Sequence, residues 1–212
     1  MTDRHHHDHD GHHPEAPSAV EARTLALESL LIEKGLLTSE DVDRIVSAYE
    51  HDIGPLIGAR VVARAWTDTA YKARLLADGP AAVRELGYEY PTGTRLVVVE
   101  NEPDRHNVIV CTLCSCYPWP VLGLPPTWYK SAPYRSRMVS EPRAVLEEFG
   151  LSLPEEITVN VWDSSSDVRY LVMPERPQGT DGWSEEQLAA IVTRDSMIGV
   201  ARPRLPAEGA AP

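Results

Sequence analysis

Apolar positions in the first third of the chain recur at helical spacing. Leu27, Leu30 and Leu31 follow a capping box made by Ser18 and Glu21, and Gly35 closes the segment. Thr38 with Asp41 opens a second helix, in which Val42, Ile45, Val46 and Tyr49 repeat at i, i+3, i+4 and i+7 until Gly54-Pro55 stops it. Shorter helical pieces run through Val61, Val62, Ala65 and Trp66, then through Tyr71, Leu75 and Leu76, and then over 81–86 before Gly87. Two amphipathic helices at the edge of a chain suit packing on a partner. Residues 18–87 are therefore predicted to be a helical arm and partner-packing region.

The pattern changes at the turn cluster Tyr90-Pro-Thr-Gly93. Residues 95–100 and 107–111 are short β-branched runs on either side of a turn-like 102–105, and they are predicted to be neighbouring strands. Residues 157–162 and 169–173 make a second such pair around 163–167, where Asp163 and Asp167 flank three serines and need no catalytic role. Helices are predicted over 142–149, where Pro142 suits a first turn, and over 185–193, where Ser184 and Gln187 form a capping box. This irregular alternation predicts an α+β chain, with the helical arm followed by a mixed α/β layered domain over 88–212. There is no βαβ series, glycine-rich phosphate loop or nucleophile elbow.

Composition narrows the partners. The 212 residues carry a net charge of −12, which argues against nucleic acid or an anionic membrane, since a phosphate surface calls for clustered Lys and Arg. No apolar run approaches the roughly 20 residues of a membrane span, and the chain reads as cytoplasmic. Residues 1–17 hold His5, His6, His7, His9, His12 and His13 with Asp8 and Asp10, and have too little apolar content to be anything but a disordered tail. Weak capture of Co, Ni, Zn or Cu by these imidazoles is one further reading.

The three cysteines lie within six residues, Cys111-Thr-Leu-Cys114-Ser-Cys116, directly after a predicted strand. An odd, clustered set is no disulfide framework. A four-ligand zinc site would need an outside donor, for which His106 is the nearest candidate, although a histidine just before a strand is more often a surface or cap residue. A Cys-x-x-Cys redox pair would leave Cys116 over. Because the last two cysteines are only two residues apart, a metal held by both sulfurs lies against the intervening peptide, and the amide nitrogens of Ser115 and Cys116 become natural donors. Three sulfurs and two nitrogens favour a small, low-spin trivalent ion over tetrahedral zinc, and they leave one position open for Lewis-acid chemistry. The claw predicts hydrolytic or hydration chemistry.

The run VCTLCSCYPWPVLGLPPTWYK over 110–130 closely resembles the metal-binding segment of the nitrile hydratase α subunit. The likeness extends through Tyr134-Arg-Ser-Arg137, Glu141-Pro-Arg143, Arg169-Tyr170, Gly182-Trp183 and Val192-Thr-Arg-Asp195. This resemblance implies that Cys111 is the unmodified axial thiolate, Cys114 a sulfinic acid and Cys116 a sulfenic acid, with Ser115 and Cys116 giving amide nitrogens. Thr112 matches the cobalt form rather than the iron form, so the implied metal is Co3+. Cys116 and Cys114 are the implied catalytic groups, Cys116 acting either as nucleophile or by activating water, and Trp119 lines the implied substrate pocket. A β subunit would supply two arginines to the oxidised sulfurs, so the isolated chain would be inactive, and an activator protein would load the metal. The metal-bearing subunit of thiocyanate hydrolase is the related alternative; a basic residue where Trp119 stands is associated with it. A non-catalytic zinc module of the three cysteines and His106 is the alternative of another class. Arg135, Arg137 and Arg143 fit a solvated helix face, or could buttress the claw.

Overall fold

A computed structural model describes residues 19–47, 55–114 and 116–205. The readings of the 1–17 tail, Ser18, Tyr49, Gly54 and Ser115 fall outside the described residues. Two compact units make up the chain, Met1–Val46 and Ser47–Pro212.

In the first unit, helix α1 spans Ala19–Glu33. It ends in a paired cap in which the Gly35 amide donates to the Ile32 carbonyl at 2.9 Å and the Leu36 amide to Leu31 at 3.0 Å. That geometry needs a left-handed residue, and Gly35 has φ of 67°. Helix α2, Ser39–Ser47, begins at the predicted start, where the two side chains cap reciprocally: the Asp41 amide donates to Thr38 Oγ1 and the Thr38 amide to the Asp41 carboxylate. No residue of α2 is buried, and Leu25, Leu27, Leu30, Leu36, Ile45 and Val46 are all exposed.

The second unit opens with α3 (Pro55–Thr67), α4 (Thr69–Ala77) and α5 (Gly79–Glu85). Aspartates separate them: Asp68 accepts the Tyr71 amide, and Asp78 accepts the Ala81 amide, each satisfying a helix-start donor. Val61, Val62, Tyr71, Leu75 and Val83 are buried in one core with the strands that follow. Residues 55–87 thus pack within the larger unit.

The strands are β1 (Arg95–Glu100), β2 (Arg105–Val110), β3 (Thr158–Asp163) and β4 (Val168–Met173). The segments match the predicted runs, but their partners do not. β1 pairs with β4 and β2 with β3, both in parallel, rather than each strand with its neighbour along the chain. Parallel strands are read from near-continuous apolar runs covered on both faces, and five of the six residues of β2 are buried. Such pairing requires a long crossover. Between β2 and β3 it is provided by the cysteine loop, α6 (Trp119–Leu122), a 3₁₀ turn over Thr127–Lys130, α7 (Ala132–Ser140) and α8 (Pro142–Glu148). Helices α9 (Glu185–Ile191), with its Ser184–Gln187 box, and α10 (Arg194–Ile198) complete the unit. Gly199 ends α10 with φ of 95°, and an added Cβ there would meet the Asn107 carbonyl at 2.1 Å, so only glycine lets the chain pass this close to β2.

Candidate metal centre

The cysteine loop leaves the C-terminal end of β2, where the ladder to β3 stops at the pair Val110 and Asp163. The Cys111 and Cys114 sulfurs are 3.4 Å apart, those of Cys114 and Cys116 are 3.0 Å apart, and all three lie within 4.8 Å of one another. None forms a disulfide. Cys111 is fully buried, Cys116 half-buried and Cys114 exposed, so the set opens outward from a buried base. The Cys114 amide donates to Cys111 Sγ at 3.3 Å, closing the first turn of the loop.

The spacing tests the donor set. With metal–sulfur bonds of about 2.3 Å, sulfurs at right angles sit about 3.3 Å apart, and tetrahedral sulfurs about 3.8 Å. The observed 3.0 and 3.4 Å suit neighbouring positions of an octahedral ion. Burial pushes the Cys116 thiol up to about 12, the contact with Cys114 adding to the effect and the Arg169 charge opposing it. A bound cation must therefore displace protons.

Side chains outside the loop hold its backbone. Asp163, beside Val110 in the parallel register, accepts from the Thr112 amide at 2.9 Å and from Thr112 Oγ1 at 2.5 Å. Arg135 on α7 donates through Nε to the Cys111 carbonyl at 3.1 Å and through Nη2 to the Thr112 carbonyl at 2.6 Å. The Tyr129 hydroxyl donates to the Cys116 carbonyl at 3.0 Å. Asp163 is thus more than a turn residue, a role visible only once β2 and β3 are in register. Arg135 buttresses the loop, while Arg137 pairs with Glu141 and Glu148, and Arg143 donates to carbonyls of the segment before β3. Tyr129 carried no sequence signal beyond its place in the resembling run. Trp119 opens α6, three residues past Cys116, and is 43% exposed.

His106 does not complete the set. It is buried within β2, its Nε2 donating to the Gly199 carbonyl at 2.7 Å and its Nδ1 facing Asn101 Nδ2 at 3.2 Å. Both ring nitrogens have protein partners, and burial lowers its pKa, so it is a neutral core residue and not the surface or cap residue predicted. Among the described residues no histidine joins the three cysteines. The three-cysteine, one-histidine zinc alternative loses its fourth ligand.

Fold and loop together define a mixed α/β chain that carries three clustered cysteines able to hold a metal ion on one loop. The sequence profile of "Nitrile hydratase, alpha chain" matches residues 18–201, and the chain belongs to that family. It is 57% identical over 189 residues to the high-molecular weight cobalt-containing nitrile hydratase subunit alpha of Rhodococcus rhodochrous, covering 89% of this chain and 93% of the relative. Identity to the thiocyanate hydrolase subunit gamma of Thiobacillus thioparus is 49% over 201 residues, with 90% and 82% covered. The structure of a double mutant of the Fe-type nitrile hydratase of Comamonas testosteroni Ni1 superposes with a TM-score of 0.84 at 47% identity, covering 92% of this chain and 98% of that one. Among the described residues no helix is long and apolar enough to cross a membrane.

Proposed function

We propose that this chain is the α subunit of a cobalt nitrile hydratase, which adds water across the C≡N bond of a nitrile to give the amide. The observation that carries the reading is the convergence of three cysteine sulfurs within 4.8 Å of one another on a loop braced from outside. Cys111, Cys114 and Cys116 would hold the metal with the amide nitrogens of Ser115 and Cys116. Low-spin Co3+, when bound, supplies a Lewis-acid position that draws electrons from a coordinated nitrile or water. Thr112 favours cobalt over iron.

In this reading Cys111 stays a thiolate, Cys114 carries two oxygens as a sulfinate and Cys116 one oxygen as a sulfenate. The sulfenate oxygen of Cys116 either accepts the proton of an attacking water or bonds to the nitrile carbon until water displaces it. In both routes one water oxygen ends on carbon and two water protons are gained, one on nitrogen and one passing from the iminol oxygen to nitrogen as the amide forms. Cys116 is regenerated. Trp119, half-exposed beyond the loop, flanks the pocket for the nitrile substituent.

The remaining assignments follow the same reading. A β subunit supplies two arginines to the oxidised sulfurs, charge-assisted contacts without which this chain is inactive. Within the 18–87 region, the exposed apolar residues of α1 and α2 are the surface offered to that subunit. Residues 88–212 form the metal-binding catalytic domain, an activator protein loads the cobalt, and the enzyme is cytoplasmic.

The test is to co-express the chain with its β subunit and measure metal content, turnover, and the mass of the tryptic peptide from His106 to Lys130. Expected are one cobalt per αβ pair, three added oxygens on the peptide, and conversion of acrylonitrile to acrylamide. Turnover of thiocyanate alone would favour the thiocyanate hydrolase reading, against which Trp119 stands. One zinc with no added oxygen would overturn both.

A further inference from the structure

Where β2 runs out into the cysteine loop, the carbonyls from Ile109 to Thr112 all have partners. The Tyr134 hydroxyl donates to the Ile109 carbonyl at 2.7 Å, and the Ser164 amide to Val110 at 2.7 Å. Arg135 then takes the next two carbonyls, those of Cys111 and Thr112, with one guanidinium. Four successive carbonyls, from Ile109 to Thr112, are thus held, three of them by the adjacent α7 residues Tyr134 and Arg135. Arg135 is half-buried, on the second turn of a helix whose start is capped by Ser131 and whose buried Tyr134 and Met138 lock it to the core. Its guanidinium donates to these two backbone oxygens. A planar fork across two consecutive carbonyls fixes the peptide planes on both sides of Thr112, which a single flexible ammonium cannot do.

We propose that Arg135 is a positioning residue for the metal loop. By pinning the Cys111 and Thr112 carbonyls it orients the Cys111 sulfur toward those of Cys114 and Cys116 before any metal arrives. It also places a fixed positive charge against the backbone of the loop. Arg135 touches neither sulfur nor substrate. Its effect is therefore on how tightly and in what geometry the loop holds a metal, and through that on cysteine oxidation. This inference rests on the functional reading given above.

The experiment compares wild-type αβ complex with Arg135→Lys and Arg135→Gln complexes, each expressed with cobalt. Three quantities are read besides activity: cobalt loss to an excess of chelator, the sulfur-to-cobalt charge-transfer absorption, and the oxygens added at Cys114 and Cys116. For Arg135→Gln, cobalt loss should quicken by about tenfold or more, the size typical when a group behind a metal ligand is removed. The absorption band should shift and the oxidised fraction fall, while thermal melting of the metal-free chain changes little. Arg135→Lys keeps the charge without the fork and should fall between; it also decides the matter if Arg135→Gln does not assemble. If wild type binds cobalt and both variants match it in retention, spectrum and oxidation, the inference is overturned while the function stands. If wild type itself binds no cobalt, the functional reading fails and the inference falls with it.

Discussion

Strand β2 and the cysteine loop are consecutive six-residue segments, yet they are held in opposite ways. β2 has a parallel partner along its whole length and five buried residues, so the ladder fixes its register, with the Tyr134 hydroxyl and the Asn101 side chain taking backbone groups the ladder leaves, and its side chains fill the core. The loop has no ladder and only Cys111 fully buried, and is held by Asp163, Arg135 and Tyr129 reaching in from three other elements. The difference has a chemical reason. A ladder would consume the amides and turn alternate side chains to opposite faces, whereas a claw needs its sulfurs converging on one point. The strand carries stability and the loop carries chemistry.

Substitutions should separate the two. The largest effect is expected from Cys114→Ala or Cys116→Ala, either of which should abolish cobalt retention and nitrile turnover, while the melting temperature of the metal-free chain barely moves. Equal loss of folding would show that the loop also supports the core. In β2, Ile109→Ala should cost about 3 kcal/mol in denaturant unfolding, the usual range for emptying a buried aliphatic site, with the sulfur chemistry of the folded fraction retained.

His106 offers a pH test of the same contrast. Its folded-state pKa is lowered by burial; the Gly199 contact and the charge of Glu175 oppose this, while Arg202 reinforces it. Below the unfolded value near 6.5 the unfolded chain binds the extra proton first. Stability should therefore fall as pH drops through that value toward the lower folded one, by up to about 1.4 kcal/mol per pH unit. His106→Gln should flatten the slope in urea titrations between pH 7 and 5. A slope unchanged by that substitution would assign it to other groups. The smallest expected effect is Asp163→Asn, which should ease local opening of the loop by about 1 kcal/mol or less, detected as faster alkylation of Cys114 in the metal-free chain.

The helices were legible because each carries its own punctuation, as in the Thr38–Asp41 and Ser184–Gln187 boxes and the Gly35 cap. The strand segments were legible too, from their β-branched runs. Their partners were not, since a turn at 102–105 and another at 163–167 look the same whether the flanking strands pair with each other or with distant ones. The site divides in the same way. Three cysteines on six residues announce a metal loop, but the sequence left Arg135 open between a solvated helix face and a buttress of the claw, and Asp163 as a turn residue. His106, the apparent fourth ligand, proved to be a core histidine whose partners lie 5 and 93 residues away.

By itself, then, the sequence determined the clustering of the three cysteines, the family resemblance and the local helices, because residue spacing, caps and hydrophobic periods act over a few residues. Only the tertiary structure decided which strands are parallel neighbours, that Asp163 and Arg135 brace the loop, and that His106 is withheld from it. Those outcomes depend on register and packing between segments tens of residues apart, where a shift of one residue would turn the same side chains to the opposite face.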